Sequence, residues 1–287
     1  MEVHLIDGTY ELFRHHSVLP SEVAADSRGA ATRGVMRSVL DLIADGATHV
    51  GVATDTVIES FRNDLFAGYK TSEGMAPELL AQFPWVERAL ESIGVVVWRM
   101  REFEADDAIA TAALRWCEDV DQVVICTPDK DMAQCVIGDR IVMLNRRQQT
   151  TMNEAGVKLK FGVSPESIPD YLALVGDTAD GVPGLPGWGA KSAASVLARW
   201  RKLEAIPRDP RNWGVPVRGA DKLAATLDAN RDLAMEYRIL TTLRLDVPLE
   251  ETLDDLRWQG VDGDAFLAIC DEFGFDDVRT RPLLWKE

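Results

Sequence analysis

The chain has 287 residues, enough for one large domain or for a domain plus a smaller one. Apolar residues make up 46% and charged residues 27%, an ordinary balance for a folded chain, and no stretch reaches the apolar length of a membrane span. The net charge of −16 argues against phosphate-backbone binding unless the acids are clustered and neutralised by metal. The opening, MEVHLIDGTY, has no basic segment and does not read as a signal peptide. Cys117, Cys126, Cys135 and Cys270 are scattered and form no CxxC pair. That fits a reduced cytoplasm and argues against a disulfide framework or a thiolate zinc site.

In chain order, β-rich runs fall at VHLI (3–6), HVGVAT (49–54), VVVW (95–98), QVVICT (122–127) and RIVML (140–144). Helical patterns separate them at GVMRSVLDLIADG (34–46), PELLAQFPWVERALESIG (77–94) and the acid-headed segment 104–118. This alternation predicts an α/β domain with a mostly parallel central sheet flanked by helices.

The acids recur at one place in that pattern. The first strand runs into Asp7, the second into Asp55, and QVVICT into Asp129 and Asp131 of TPDKD. The segment EADD puts Glu104, Asp106 and Asp107 at the mouth of an apolar helix. In open α/β sheets the binding crevice lies outside the carboxyl ends of the strands. An acid in a first helical turn is also a common cap. That reading covers EADD alone, not the whole set. Glu104 and Asp107, three apart, repel on one helix face, and gathering the others around them calls for cations. Oxygen ligands with no His or Cys among them point to Mg²⁺ or Mn²⁺ rather than zinc.

A second signal is GDTADGVPGLPGWGAKSAASVLARW (176–200). Asp177 and Asp180 add two acids, and Gly181, Gly184, Gly187 and Gly189 form a tight hairpin before a helix opening at Ala190. Glycines let backbone amides approach a phosphate, and a helix start with Lys191 and Ser192 in its first turn welcomes one. The P-loop pattern is missed: the spacing from Gly184 to Lys191 is one residue too long, and Ala190 stands where glycine is required. A structural loop between helices is the alternative reading.

Taken in order, LIDG, FRNDLFAGYK, EFEADDAIAT, TPDKDMAQ, DYLALVGDTAD and VPGLPGWGAKSA resemble the 5′-nuclease domain of bacterial DNA polymerase I and the free-standing bacterial flap endonucleases. The likeness runs from LIDGTYELFR to about residue 250, and the tail from 251 carries little of it. It implies a PIN-like 5′-nuclease fold. A nuclease core would span 1–160, with a helical arch at about 62–90. A helical DNA-binding region would span 161–287, with a helix–three-turn–helix at about 165–200. The implied activity is two-metal-ion hydrolysis of DNA at 5′ flaps, nicks or free 5′ ends, in replication or repair. Asp7, Asp55, Glu104, Asp106 and Asp107 match the family's first metal cluster; Asp129, Asp131, Asp177 and Asp180 match the second. Backbone carbonyls at Leu174, Val175, Pro183, Leu185 and Trp188 match positions that hold K⁺ in related proteins. Arg62, Tyr69 and Lys70 match the gateway for the single strand, with Lys70 and Arg62 the candidate catalytic side chains. Arg14 matches a basic residue near the first strand. Gly184, Gly187, Gly189, Lys191 and Ser192 match the hairpin that grips duplex DNA.

Three departures stand out. Glu73 falls where the family carries an arginine after its YK, RGAA (28–31) replaces a PTGA-like segment, and Gly181 takes a position that is usually asparagine. With no polymerase or proofreading segment following, the nuclease is expected to act as a cytoplasmic, nucleoid-associated monomer, alone or with replication or repair proteins. Three other readings are weighed. A related metal-dependent ribonuclease uses the same chemistry. A catalytically inactive DNA-binding module would use the hairpin alone, but its unneutralised acids would repel phosphate. An aspartyl phosphatase needs a nucleophilic Asp two residues before Asp7, and Leu5 stands there.

Overall fold

Runs of Val, Ile and Leu long enough only for a strand pair into a parallel sheet, and the segments between them supply its covering helices. The computed structural model describes residues 1–19 and 29–286. Arg28 of the RGAA segment lies outside the described residues. The chain folds as two compact units that interleave along the sequence. One comprises Met1–Ile58, Ser72–Thr127 and Leu245–Glu287, the other Glu59–Thr71 and Pro128–Arg244.

The first unit holds β1 (Glu2–Asp7), β2 (His49–Asp55), β3 (Val96–Met100) and β4 (Gln122–Cys126) in the order β3-β2-β1-β4. All three pairings are parallel, with Asp7 opposite Ala53 and Asp55 opposite Met100. Every residue of β2 is buried, as expected of a strand covered on both faces. The helix Ala30–Ala44 buries Val35, Met36, Val39, Leu40 and Ile43, a stripe with helical period. The helix Ala105–Trp116 buries Ala108, Ile109, Ala110, Ala112 and Ala113. Each large aliphatic side chain so buried contributes about 1.5–3 kcal/mol.

The run expected as one helix over 77–94 is two, Pro77–Leu80 and Phe83–Ser92. Pro84 explains the break, since it has no N–H to bond the Leu80 carbonyl four residues back and so suits the start of a helix, not its interior. Gln82, buried at the junction, accepts from the N–H and hydroxyl of Thr32 at 3.0 and 3.2 Å.

The tail after residue 251 belongs to this unit. Val50 N–H donates to Leu256 O at 2.8 Å, Trp258 Nε1 to Ile93 O at 2.7 Å, and Trp98 Nε1 to Glu251 at 2.8 Å. The helix Gly263–Phe273 brings Phe273 to 5.2 Å from the ring of Trp85.

The second unit pairs β5 (Ile141–Asn145) with β6 (Thr150–Met152) antiparallel; β6 has no counterpart among the sequence runs. Its helices are Phe61–Leu65, Glu154–Phe161, Ile168–Val175, Ala190–Trp200, Ala220–Ala229 and Arg231–Thr241. The fully buried Asp170 ties them, accepting from Leu203 N–H at 2.9 Å and pairing with Arg238 at 3.2 Å. Four residue runs thus read correctly as parallel strands, and the rest of the chain is mostly helix, as the alternation implies. No helix among the described residues is long and apolar enough to cross a membrane.

Candidate active site

The predicted acids divide between the units. In the first, Asp7 and Asp55 end adjacent parallel strands, and both are immediately given hydrogen-bond work. Asp7 Oδ1 caps the helix Gly8–Ser17 by accepting from Tyr10 N–H at 2.8 Å, and Oδ2 accepts from the Thr127 hydroxyl at 3.0 Å. Asp55 Oδ1 accepts from Ala105 N–H at 2.6 Å, tying the end of β2 to the start of the EADD helix. Asp107, fully buried, accepts from Glu104 N–H at 3.0 Å. Glu104 is buried and Asp106 half-buried. The capping reading of EADD therefore holds for Asp107, whose carboxylate satisfies a helix-start donor. Among the described residues, these five acids do not bring three ligand atoms to within 4.8 Å of one another. Backbone donors hold Asp7, Asp55 and Asp107 each at its own helix or strand end.

In the second unit, Asp131, Asp177 and Asp180 do converge: one carboxylate oxygen from each lies within 4.8 Å of the others. Asp131 opens the short 3₁₀ turn Asp131–Cys135, and its N–H donates to Asp129 at 3.0 Å. Asp129 thereby serves the turn that aims Asp131. Asp177 follows the helix Ile168–Val175 and exchanges two backbone hydrogen bonds with Val182, at 2.7 and 2.8 Å. That closes a small loop with Asp180 on it. Gly181, at φ 76°, explains the departure at that position: a Cβ there would stand 2.2 Å from Gly68 O. Asparagine tolerates positive φ, but not a carbonyl at that distance.

The group is charged beyond what its surroundings balance. Burial pushes the Asp131 carboxyl well above the ordinary carboxylate range, and Asp129, Asp180 and Asp177 add to the shift. Asp131 Oδ1 is buried with no hydrogen-bond donor among the described residues. Two lysines answer the charge. Lys70 Nζ lies 3.0 Å from Asp180, and its backbone N–H donates to Asp180 O at 3.0 Å. Lys130 Nζ lies 2.5 Å from Asp177 Oδ2 and 3.8 Å from Asp131. Partial burial pulls the Lys130 ammonium down, but Asp131, Asp177 and Asp129 outweigh it and leave it above the usual lysine value. Lys130 was not singled out from the sequence. Its signal was there: a lysine set between two aspartates in TPDKD.

Other predicted residues have packing tasks. Arg62 is 1% exposed, and its guanidinium donates to Leu240 O at 2.8 Å and Thr242 O at 3.1 Å. It braces its unit, and its geometry does not offer those donors to a substrate. Tyr69 is likewise buried, with Lys70 5.6 Å from its ring centre. Arg14 pairs with the buried Glu11 and reaches the Ser38 hydroxyl at 3.3 Å. The segment expected as an arch divides between the units at Thr71 and Ser72.

The glycine hairpin folds against the end of the helix Ile168–Val175. Leu185 N–H donates to Leu174 O at 2.9 Å, and Trp188 N–H to Leu185 O at 3.1 Å. Gly184, at φ 69°, is where backbones cross, since a Cβ would meet Gly176 N at 2.4 Å and Val175 C at 2.6 Å. The Pro183 carbonyl lies at the same crossing, against Gly176. Gly187 also turns at positive φ, whereas Gly189 is extended and starts the helix Ala190–Trp200. Ser192 closes that helix start on itself, accepting from Gly189 N–H at 3.0 Å and donating to Gly189 O at 2.9 Å. Lys191 is exposed beside it.

Known proteins match most of the chain. A family model described as the 5′-3′ exonuclease N-terminal resolvase-like domain matches residues 2–162, and the 5′-3′ exonuclease C-terminal SAM fold matches residues 163–264. The 5′-3′ exonuclease of Aquifex aeolicus is 30% identical, over 89% of this chain and 86% of that protein. DNA polymerase I of Pseudomonas aeruginosa is 33% identical over 94% of this chain, which spans 30% of that polymerase's length. The crystal structure of the bacteriophage T5 D15 flap endonuclease, in a pseudo-enzyme-product complex with DNA and metal ions, superposes with a TM-score of 0.66. It covers 97% of each chain at 18% identity, a likeness of fold. The chain belongs to the 5′-3′ exonuclease family.

Proposed function

We propose that the protein is a structure-specific 5′ nuclease that hydrolyses DNA phosphodiesters at flaps, nicks and free 5′ ends with divalent cations held by its acids. The observation that carries this reading is the Asp131–Asp177–Asp180 group, two of its members buried and each with a buried oxygen, Asp131 Oδ1 and Asp177 Oδ2, that no hydrogen bond satisfies among the described residues. Buried carboxylate oxygens without a hydrogen-bond donor are costly, and a cation is what such a group fits. The donors are carboxylate oxygens, which suit Mg²⁺ or Mn²⁺ over zinc. Asp7, Asp55, Glu104, Asp106 and Asp107 are the proposed second set of ligands, with Asp129 supporting Asp131. When bound, the cations supply Lewis-acid charge to the phosphodiester and lower the pKa of water.

The chain's own side chains do the rest. Lys70, anchored through Asp180, places a positive charge beside the acids, suited to a phosphate whose negative charge grows during cleavage. The hairpin of Gly184, Gly187 and Gly189, with Lys191 and Ser192, offers backbone amides and one exposed ammonium to a phosphate backbone. The carbonyls of Leu174, Val175, Pro183, Leu185 and Trp188 are the proposed K⁺ ligands. The T5 enzyme's complex with DNA and metal ions supports the choice of substrate by likeness of fold.

The test is parallel digestion of a 5′-labelled flap duplex, a nicked duplex, a DNA single strand and an RNA flap, with Mg²⁺, Mn²⁺ or chelator. Metal-dependent release of short 5′ products from the DNA flap supports the proposal. Preferential cleavage of RNA would make the protein a ribonuclease. Binding without cleavage in either metal would make it a DNA-binding module.

A further inference from the structure

We propose that Lys130 is the built-in counter-ion of the Asp131–Asp177–Asp180 group, holding its two buried carboxylates together without metal and competing with a divalent cation for Asp177. The inference rests on the metal-binding reading above. It starts from where the backbone puts this lysine. Lys130 immediately precedes the 3₁₀ turn that carries Asp131, with helical backbone angles of φ −69° and ψ −25°. Its side chain therefore leaves the chain from the same turn as the Asp131 carboxylate. Its ammonium sits 2.5 Å from Asp177 Oδ2 and 3.8 Å from Asp131 Oδ1. Those two acids are the buried members, at 2% and 5% exposure, where repulsion between carboxylates is least screened. Lys70 differs: it reaches Asp180, the more exposed member.

One positive charge between two desolvated carboxylates has two consequences. In metal-free protein it offsets most of their repulsion, so the group stays assembled. For an incoming cation it is an obstacle. A divalent ion bonds a carboxylate oxygen at about 2.0–2.6 Å, and Asp177 Oδ2 is the atom the ammonium already occupies. The two cations cannot share that oxygen without strong repulsion at low effective dielectric. Lys130 must swing off Asp177 as metal arrives, and its 35% side-chain exposure leaves it an outward path.

The experiment uses the full chain, stripped with chelator, as wild type, Lys130→Met, Lys130→Gln and Lys130→Arg. Manganese binding is followed by titration calorimetry and the melting temperature is read in excess chelator. Met and Gln each remove the charge, so if one folds poorly the other decides. The charge-free variants should melt lower than wild type in chelator and bind Mn²⁺ on the order of tenfold more tightly. Lys130→Arg, which keeps the charge, should restore the wild-type affinity. Unchanged or weaker Mn²⁺ binding in both charge-free variants overturns the competition. An Asp131→Asn arm separates the two readings. If that variant binds Mn²⁺ as wild type does, the metal assignment fails. The chelator melting curves then still judge Lys130: a lower melting temperature without the charge supports the counter-ion, and no change overturns it.

Discussion

Asp55, in the first unit, accepts a backbone N–H at 2.6 Å; Asp131, in the second, has a buried oxygen with no hydrogen-bond donor among the described residues. The difference extends to their neighbours. Asp7 takes a helix-start N–H and a threonine hydroxyl, and Asp107 takes the N–H of Glu104. Asp177 and Asp180 face lysine side chains, Asp177 in addition to an N–H from Ala179 at 3.1 Å. Acids of the first kind are part of the fold's hydrogen bonding, and removing one leaves a buried donor unpaired, which costs about 1–3 kcal/mol. Acids of the second kind are held together against their own repulsion, so removing one relieves it. Identical residue types thus carry opposite stability signs according to whether a carboxylate mainly satisfies a buried donor or is mainly crowded by other acids.

The largest test of that contrast is Asp131→Asn. Cleavage should fall on the order of a hundredfold or more, as loss of a preorganised charge in a reaction centre does. Folding should not suffer. The folded state holds the Asp131 proton more tightly than the unfolded chain does, because burial and neighbouring acids raise its pKa. Stability from that group is fully present below the ordinary carboxylate range and is lost as pH climbs through the raised value. In chelator, wild type should therefore weaken toward neutral pH while Asp131→Asn weakens less. Melting curves across pH 4 to 8 check this; near-normal turnover, or steeper weakening in the variant, breaks the contrast.

Asp107→Ala should move the other way. It strips the capping oxygen from Glu104 N–H, and a lost cap of this kind costs about 1 kcal/mol, more when buried. The melting temperature should drop by a few degrees with or without metal. A gain in stability in chelator would put Asp107 with the repulsive acids.

Lys191→Ala sharpens the second unit's role by asking whether its exposed hairpin lysine grips DNA. The log–log salt slope of duplex affinity should flatten by about one unit, with little change in the single-turnover rate. An unaltered slope and affinity would place Lys191 away from the duplex. The smallest effect is expected at Glu73, in the first unit. Glu73→Arg should lower KM for flap DNA at low salt, with kcat little changed. An exposed charge contributes at most about 1 kcal/mol and is screened beyond about 8 Å at physiological ionic strength. Steady-state cleavage at two salt concentrations reads it; a KM that does not fall, or falls equally at both, removes Glu73 from the strand's path.

Length and composition marked the parallel strands, because β1, β2 and β4 are runs of only a few residues, rich in Val and Ile, too short for a buried helix. The hairpin was also legible, since its glycines take positive φ at Gly181, Gly184 and Gly187. Which acids converge was not. That depends on donors brought in by folding: Ala105 N–H reaches Asp55 across 50 residues, and Lys130 meets Asp177 across 47. Arg62 is a candidate catalytic side chain by resemblance to the family's gateway; the carbonyls its guanidinium donates to, those of Leu240 and Thr242, lie 178 and 180 positions away, which no local pattern shows. The tail after residue 251 showed little pattern because its contacts are single long-range anchors, such as Trp258 on Ile93 and Trp98 on Glu251, with no period to read. Local backbone preference and apolar spacing are written along the chain. Charge balance and burial are sums over residues distant in sequence, and the tertiary structure decides them.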